Sequence, residues 1–255
     1  EVGIINNNEI YFQRIYSNLN VKKKKISISE YFKLLEKNII DHTISDKKIS
    51  LSLSSGLDSS LIAHVIYKYV KKKYDLTAYT FDFENHNYEY NEARKFVRAY
   101  NQKIKKITVT QDYVINNFEK LFKQNEGPIG GISQFGLYKI CNQAKKDGFD
   151  VMLSGYGLDE SLGSYKSIKS NLNKQKFDLI NLKNLSNEIY KSKNQKKTEL
   201  LNIINDYFFK IKIPRTTQMV DRSSMSNSIE MRIPFLEKNF VESTLQWSDY
   251  KNNID

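Results

Sequence analysis

Cysteine is almost missing from this chain: of 255 residues only Cys141 carries a thiol. A single thiol excludes an internal disulfide and any cysteine-rich zinc or iron–sulfur site. It agrees with a reduced, cytoplasmic setting. Histidine is scarce as well. Three in the whole chain, His42, His64 and His86, exclude a histidine metal cluster. Long apolar runs are absent, and none approaches the roughly 20 residues of a membrane helix. Glu1-Val2-Gly3-Ile4-Ile5-Asn6 lacks the basic region and cleavage site of a signal peptide. There is no initial methionine, and the expectation from this is a fragment of a longer chain.

What is abundant is lysine. The formal net charge is +11, with runs at Lys22 to Lys25, Lys71 to Lys73 and Lys193 to Lys197. Nucleic acid is the sharp reading of such a charge. The runs lack interleaved arginine and aromatic residues, so a solvated lysine-rich surface is preferred and nucleic acid disfavoured. Apolar residues make up 40%, enough for the core of one large α/β domain or two small ones.

Periodicity organises the first two thirds. Tyr31, Leu34, Leu35 and Ile39 give Ile28 to Ile40 a helical spacing. Ile49 to Leu53 reads as a strand and Ser59 to Lys73 as a helix, with a stripe through Leu61, Ile62, Val65, Ile66, Tyr69 and Val70. Leu76 to Phe83 is a second strand, Tyr90 to Asn101 a helix, Ile104 to Thr110 a third strand and Tyr113 to Lys123 a helix. Glu126-Gly127-Pro128 breaks the chain; Phe135 to Lys146 is helical and Val151 to Leu153 a short strand. Alternating strands and helices predict βαβ units and a parallel sheet covered on both faces. Beyond Tyr165 the pattern changes. Lys166 to Lys197 is polar and poorly periodic, while Leu200 to Lys210 and Thr216 to Ile229 look helical. A helical C-terminal portion over 165–255 is expected, packed on the sheet.

The chemistry lies at the joins. In "SLSSGLDSSL", Ser52 to Leu61, a strand becomes a helix across serines, Gly56 and Asp58. A helix N-terminus carries unpaired N–H groups and partial positive charge. A glycine there lets the backbone approach an anion, and hydroxyls add donors. The stretch thus reads as a phosphate cradle, without the lysine of the Gly-x-x-x-x-Gly-Lys loop. Asp58 would repel phosphate directly, so a divalent cation between them is the natural solution. The alternative is an ordinary serine or aspartate helix cap. "LSGYGLDESLGSY", Leu153 to Tyr165, repeats the logic with Ser154, Gly155 and Asp159. Two such loops at the ends of parallel strands would face one crevice, where Asp58 and Asp159 could share the cation.

These stretches resemble a family. Ser54-Ser55-Gly56-Leu57-Asp58-Ser59-Ser60 is similar to the pyrophosphate loop, Ser-Gly-Gly-x-Asp-Ser, of ATP pyrophosphatases. "LSGYGLDESLGSY" resembles the second loop of the asparagine synthetase branch. "DRSSMSNSIEMRIPFLE", Asp221 to Glu237, resembles that branch's Asp-Arg-x-Ser-Met and Glu-x-Arg-x-Pro-Phe-Leu-Asp. The first motif belongs to the superfamily, and the three in this order to asparagine-synthetase-like domains. The resemblance implies a Rossmann-like sheet of the adenine nucleotide alpha hydrolase type. It implies adenylation of a small-molecule carboxylate by ATP with Mg²⁺, release of pyrophosphate, then attack by ammonia or an amine. Carried over by position, Leu53, Ser54, Ser55, Gly56, Asp58 and Ser59 form the ATP pyrophosphate loop. Ser154 and Gly155 line the nucleotide site, Phe81 offers backbone to adenine, and Asp58 and Asp159 hold the metal.

Three departures stand out. Ser55 replaces the second glycine of the first loop, so closer phosphate approach is hindered. Tyr156 stands where asparagine synthetases carry glutamate; it resembles β-lactam synthetases, whose tyrosine pairs with a glutamate, here Glu230. Tyr156 as a packing residue is the alternative, with Glu230 then orienting Arg232. No Lys-x-x-Leu-Arg segment precedes the end at Asp255. Residues 1–27 resemble a linker from an N-terminal glutaminase domain, and residues 28–255 a synthetase domain lacking its C-terminal end. Tyr156, Glu230 and Arg232 are the catalytic candidates. The leading expectation is asparagine synthesis from aspartate and glutamine-derived ammonia. Another carboxyl amidation, intramolecular amide closure, a non-catalytic nucleotide-binding module and RNA modification stay open. Cys141 lies on an apolar helix stripe, and packing is expected of it and of His64.

Overall fold

The computed structural model describes residues 2–6, 9–13, 26–70, 76–159 and 212–246. The three lysine runs, the helix expected over Leu200 to Lys210 and the polar stretch Lys166 to Lys197 lie outside these residues. The stretch read as a connecting segment carries an antiparallel hairpin, β1 (Val2–Asn6) and β2 (Glu9–Gln13). Short apolar pieces of that length carry no strand-specific period.

Ser27 opens α1 (Ile28–Asp41) with a capping box: its hydroxyl accepts from Glu30 N while the Glu30 carboxylate accepts from Ser27 N. Then come β3 (Ile49–Ser52), α2 (Leu57–Tyr69), β4 (Thr77–Phe83), α3 (Tyr88–Ala99) and β5 (Lys103–Val109). Thr110 caps α4 (Gln111–Asn125) through Tyr113 N. After α5 (Ser133–Lys146) and β6 (Val151–Leu153), the described chain resumes with α6 (Ile213–Met225). The helix read over Thr216 to Ile229 ends early because Ser228 takes a left-handed φ of 54°. Ile229 instead leads into β7 (Glu230–Arg232), a fifth strand hidden inside the third motif. A 3-10 turn, Pro234–Leu236, and α7 (Lys238–Gln246) follow.

Strands β3 to β7 form one parallel sheet in the order β5-β4-β3-β6-β7. The chain winds outward from β3 to β5, then returns to the other side of β3. The join between β3 and β6 is therefore the topological switch point, where open α/β sheets place their crevice. Alternate residues separate the two cores. Leu51, Ala78, Val151 and Leu153 face α1 and α2 with Leu35, Ile39, Ile62 and Ile66. Tyr79, Met152 and Met231 face α5 and α6 with Leu137, Ile140, Cys141 and Val220. Both faces are buried along β6, Val151-Met152-Leu153, and nearly so along β3, whereas the edge strand β5 exposes Lys103, Lys105 and Thr108.

Candidate active site

The first loop leaves β3 at its C-terminal end. Gly56, not a serine, is the N-cap of α2, and no side chain caps that helix. The serines tie the loop to itself. Ser59, 8% exposed, accepts from Ser54 N at 3.1 Å, and its Oγ lies 2.9 Å from Ser54 Oγ. Gly56 N donates to Ser54 Oγ at 3.1 Å. Ser55 is not at positive φ, so a side chain is tolerated there without strain, and its N–H donates to the Glu89 carboxylate at 2.7 Å. Leu53 is buried and closes the strand, its N–H donating to Tyr79 O at 2.9 Å.

The second loop lies against the first. Strands β3 and β6 are hydrogen-bonded neighbours with Leu51 beside Leu153, so both loops leave the same edge. A Cβ at Gly155 would stand 2.6 Å from Ser59 N and 2.9 Å from the Asp58 carbonyl carbon. Only glycine permits that approach, and it brings Gly155 onto the peptide that carries Asp58. Ser154, 3% exposed, sits in the join and donates its N–H to Arg232 O at 3.0 Å. Asp159 begins at the exposed rim of the same loop.

The third motif backs the second. Gly157 has φ +102°, and a Cβ there would meet Leu236 at 2.6 Å. The turn beside it is anchored by Asn38 Nδ2 donating to Pro234 O at 2.6 Å and by Phe235 and Phe240 in the core. The three motifs, separated by about a hundred residues in one case, are thus stacked in order through Gly155 and Gly157.

Phe81 lies on β4 past the end of β3. Tyr79 turns its carbonyl to Leu53 N, whereas Glu84 N donates to Val109 O on β5. Main-chain groups alternate sides along a strand. Phe81 therefore turns its N–H and C=O toward the crevice side. Its ring rests on Gly136 of α5, where a Cβ would be 2.4 Å away.

Tyr156 and Glu230 are not brought together. Tyr156 packs on the face of Tyr79, Met152 and Met231. Glu230 and Arg232 flank Met231, so their side chains leave the opposite face. Arg232 Nε donates to Glu230 Oε1 at 2.7 Å, and its NH1 donates to His42 O at 2.8 Å and Ile44 O at 2.7 Å. Glu230 also pairs in register with Val151, at the end of β6 away from the loops. Period-2 alternation could have revealed this, had β7 been recognised as a strand.

Two residues escaped sequence reasoning, Glu89 and Asp82. Asp82 is 3% exposed and accepts from Glu89 N at 3.2 Å and Tyr90 N at 3.0 Å, capping α3 from the end of β4. No local signal marks either, because their partners arise from β4 and α3 folding back past the first loop.

The asparagine synthase family model matches residues 30–215. The chain belongs to the asparagine synthase family. A Methanocaldococcus jannaschii protein described as a glutamine-hydrolyzing asparagine synthetase is 25% identical over 242 residues, covering 92% of this chain and 39% of that protein. A Bacillus subtilis asparagine synthetase of the glutamine-hydrolyzing type is 26% identical over 172 residues, covering 67% of this chain and 26% of its own. The chain thus spans well under half the length of these curated relatives. Among solved structures, the U34-tRNA thiolase of Methanococcus maripaludis superposes with a TM-score of 0.39 at 16% identity, covering 78% of this chain and 77% of that one.

The motifs that carry the family resemblance meet at this crevice. Other reactive-looking groups lie apart from it. Cys141 is fully buried on the inner face of α5, and burial pushes its thiol up to about 12. His64 Nδ1 is hydrogen-bonded to the Tyr100 hydroxyl, with the rings edge to face. His86 is exposed in a loop. No helix among the described residues is long and apolar enough to cross a membrane.

Proposed function

We propose that this chain adenylates a carboxylate with ATP, releases pyrophosphate and passes the acyl group to ammonia. The observation that carries the reading is the Gly155 contact, which joins two anion-directed loops at the switch point of the sheet. The N-terminal end of α2, uncapped by any side chain, directs main-chain donors and partial positive charge at the departing pyrophosphate. Phe81 offers a donor and an acceptor on one edge, as a planar base requires. The proposed adenine contact is to this main chain, with the ring wedged on Gly136 as its support.

Mg²⁺ fits the donor set. The two loops contribute one carboxylate each, Asp58 and Asp159, and magnesium takes one or two carboxylates with phosphate oxygens and water. Among the described residues no larger cluster of His, Cys, Asp and Glu competes for a metal. Bound there, the ion would neutralise charge developing on the leaving pyrophosphate.

Aspartate as the carboxylate and glutamine as the ammonia source are proposed from the names of the relatives. A covalently linked glutaminase domain and a cytoplasmic location belong to the same proposal. The separation of Tyr156 from Glu230 favours ammonia over a substrate amine, because a bulkier nucleophile in a closed site needs a positioned base. The test is stoichiometric product analysis with ATP, Mg²⁺, aspartate and ammonia. AMP and pyrophosphate are expected; ADP and phosphate would overturn the reading.

A further inference from the structure

The first loop holds a carboxylate on one of its main-chain donors. Glu89 Oε2 accepts from Ser55 N at 2.7 Å, the length of a charge-assisted hydrogen bond. The stem behind it is fixed, because buried Asp82 accepts from both Glu89 N and Tyr90 N. No lysine or arginine pairs with Glu89 among the described residues. The flanking donors are closed within the loop, Ser54 N on Ser59 Oγ and Gly56 N on Ser54 Oγ. Of the three N–H groups that precede α2, Ser55's is therefore the one handed to an anion outside the loop, and that anion is Glu89.

A phosphate and a carboxylate compete for one N–H donor, and they repel each other on adjacent donors. We propose that Glu89 is a resident anion of the first loop: pyrophosphate-bearing ligands must displace it from Ser55 N–H, and its return favours release of pyrophosphate. This rests on the reading of the first loop as a pyrophosphate site. Glu89 would then be an affinity-setting residue. Its effect falls on ligands that reach the loop, ATP and pyrophosphate, and not on AMP. The half-buried position of Glu89 and Ser55 leaves the repulsion only partly screened.

The experiment is calorimetric titration of Mg-pyrophosphate and of AMP into the wild-type chain, Glu89→Gln and Glu89→Ala. Glu89→Gln keeps the shape and an acceptor but removes the charge. Both variants should bind Mg-pyrophosphate about tenfold tighter, with AMP affinity unchanged. Weaker or unchanged pyrophosphate binding in Glu89→Gln would show a carboxylate that braces the loop, and would overturn the proposal alone. No binding of Mg-pyrophosphate by any of the three proteins would overturn the pyrophosphate reading of the loop, and this proposal with it. A readout on the wild-type chain guards against misfolded variants. Mg-pyrophosphate should shift the Ser55 amide and the Glu89 carboxyl resonance together, whereas AMP should move neither. A Glu89 carboxyl that stays unmoved while pyrophosphate binds would equally sink it.

Discussion

Replacing Gly155 by alanine inserts a methyl group into the contact between the two loops. The new Cβ would lie 2.6 Å from Ser59 N and 2.9 Å from the Asp58 carbonyl carbon and Ser59 Cα. Ordinary contact begins near 3.4 Å, so the loops must part by about 0.8 Å, the shortfall of 2.6 Å from 3.4 Å. All three obstructing atoms are main chain, with no rotamer to yield. Overpacking of this kind costs typically about 1–3 kcal/mol. At about 2–4 °C per kcal/mol for a chain of this size, melting should fall by about 2–12 °C. The functional loss should be larger. A displacement on the order of 1 Å at a reacting centre costs on the order of 10²-fold in rate. The assays are thermal unfolding by circular dichroism and ATP–pyrophosphate exchange with aspartate and Mg²⁺. Gly127→Ala is the control, because its Cβ would meet nothing within 4 Å and its φ is not positive. That change should be neutral or stabilising by about 0.4–1 kcal/mol. A Gly155→Ala protein with wild-type melting and exchange would refute the tight contact and the site built on it.

Asp58→Asn and Asp159→Asn should each abolish exchange while leaving the unfolding transition in place; exchange at the wild-type rate removes that residue from the metal site. Tyr156→Phe and Glu230→Gln should have independent, additive effects on single-turnover amide formation from preformed adenylate, because Tyr156 packs on the Met152 and Met231 side of the sheet whereas Glu230 leaves the other face of β7. A double variant no worse than either single one would restore a catalytic pair. Glu230→Gln alone should cost no more than about 1 kcal/mol of stability, because the Glu230 carboxylate is largely exposed and the Arg232 guanidinium keeps its hydrogen bonds to His42 O and Ile44 O. The Cys141 thiol should resist iodoacetamide at pH 8 in the native protein and react once denaturant unfolds it, since burial raises its pKa to about 12; rapid native labelling would contradict the packed α5.

The element order was legible because both faces of the sheet are covered. Strand β6 reads as an apolar run, and β3, β4 and β5 as β-branched, aromatic or alternating segments between helical stripes, and the helix beginnings at Ser27 and Thr110 carry their own caps. The hairpin of β1 and β2 and the strand β7 were not legible. Each is short, and β7 is a strand only because Val151 and Leu153 stand ready to pair with it. The Tyr156 and Glu230 pairing rested on the resemblance to β-lactam synthetases, which does not tell which face of the sheet each residue leaves.

By itself the sequence determined where the two loops lie, since a strand-to-helix join with serines, a glycine and an aspartate is a local pattern that needs no partner to be read. It determined the family as well, through three motifs in a fixed order. Tertiary structure alone decided which of those residues meet. Gly155 on the Asp58–Ser59 peptide, Gly157 on Leu236 and Glu89 on Ser55 are contacts across 34 residues or more. Their physical cause is the parallel register of β3 and β6 and the return of the chain to the inner side of the sheet. Close approach of two backbones, and competition of a carboxylate for a loop N–H, depend on distance in space, and no one-dimensional pattern encodes that distance.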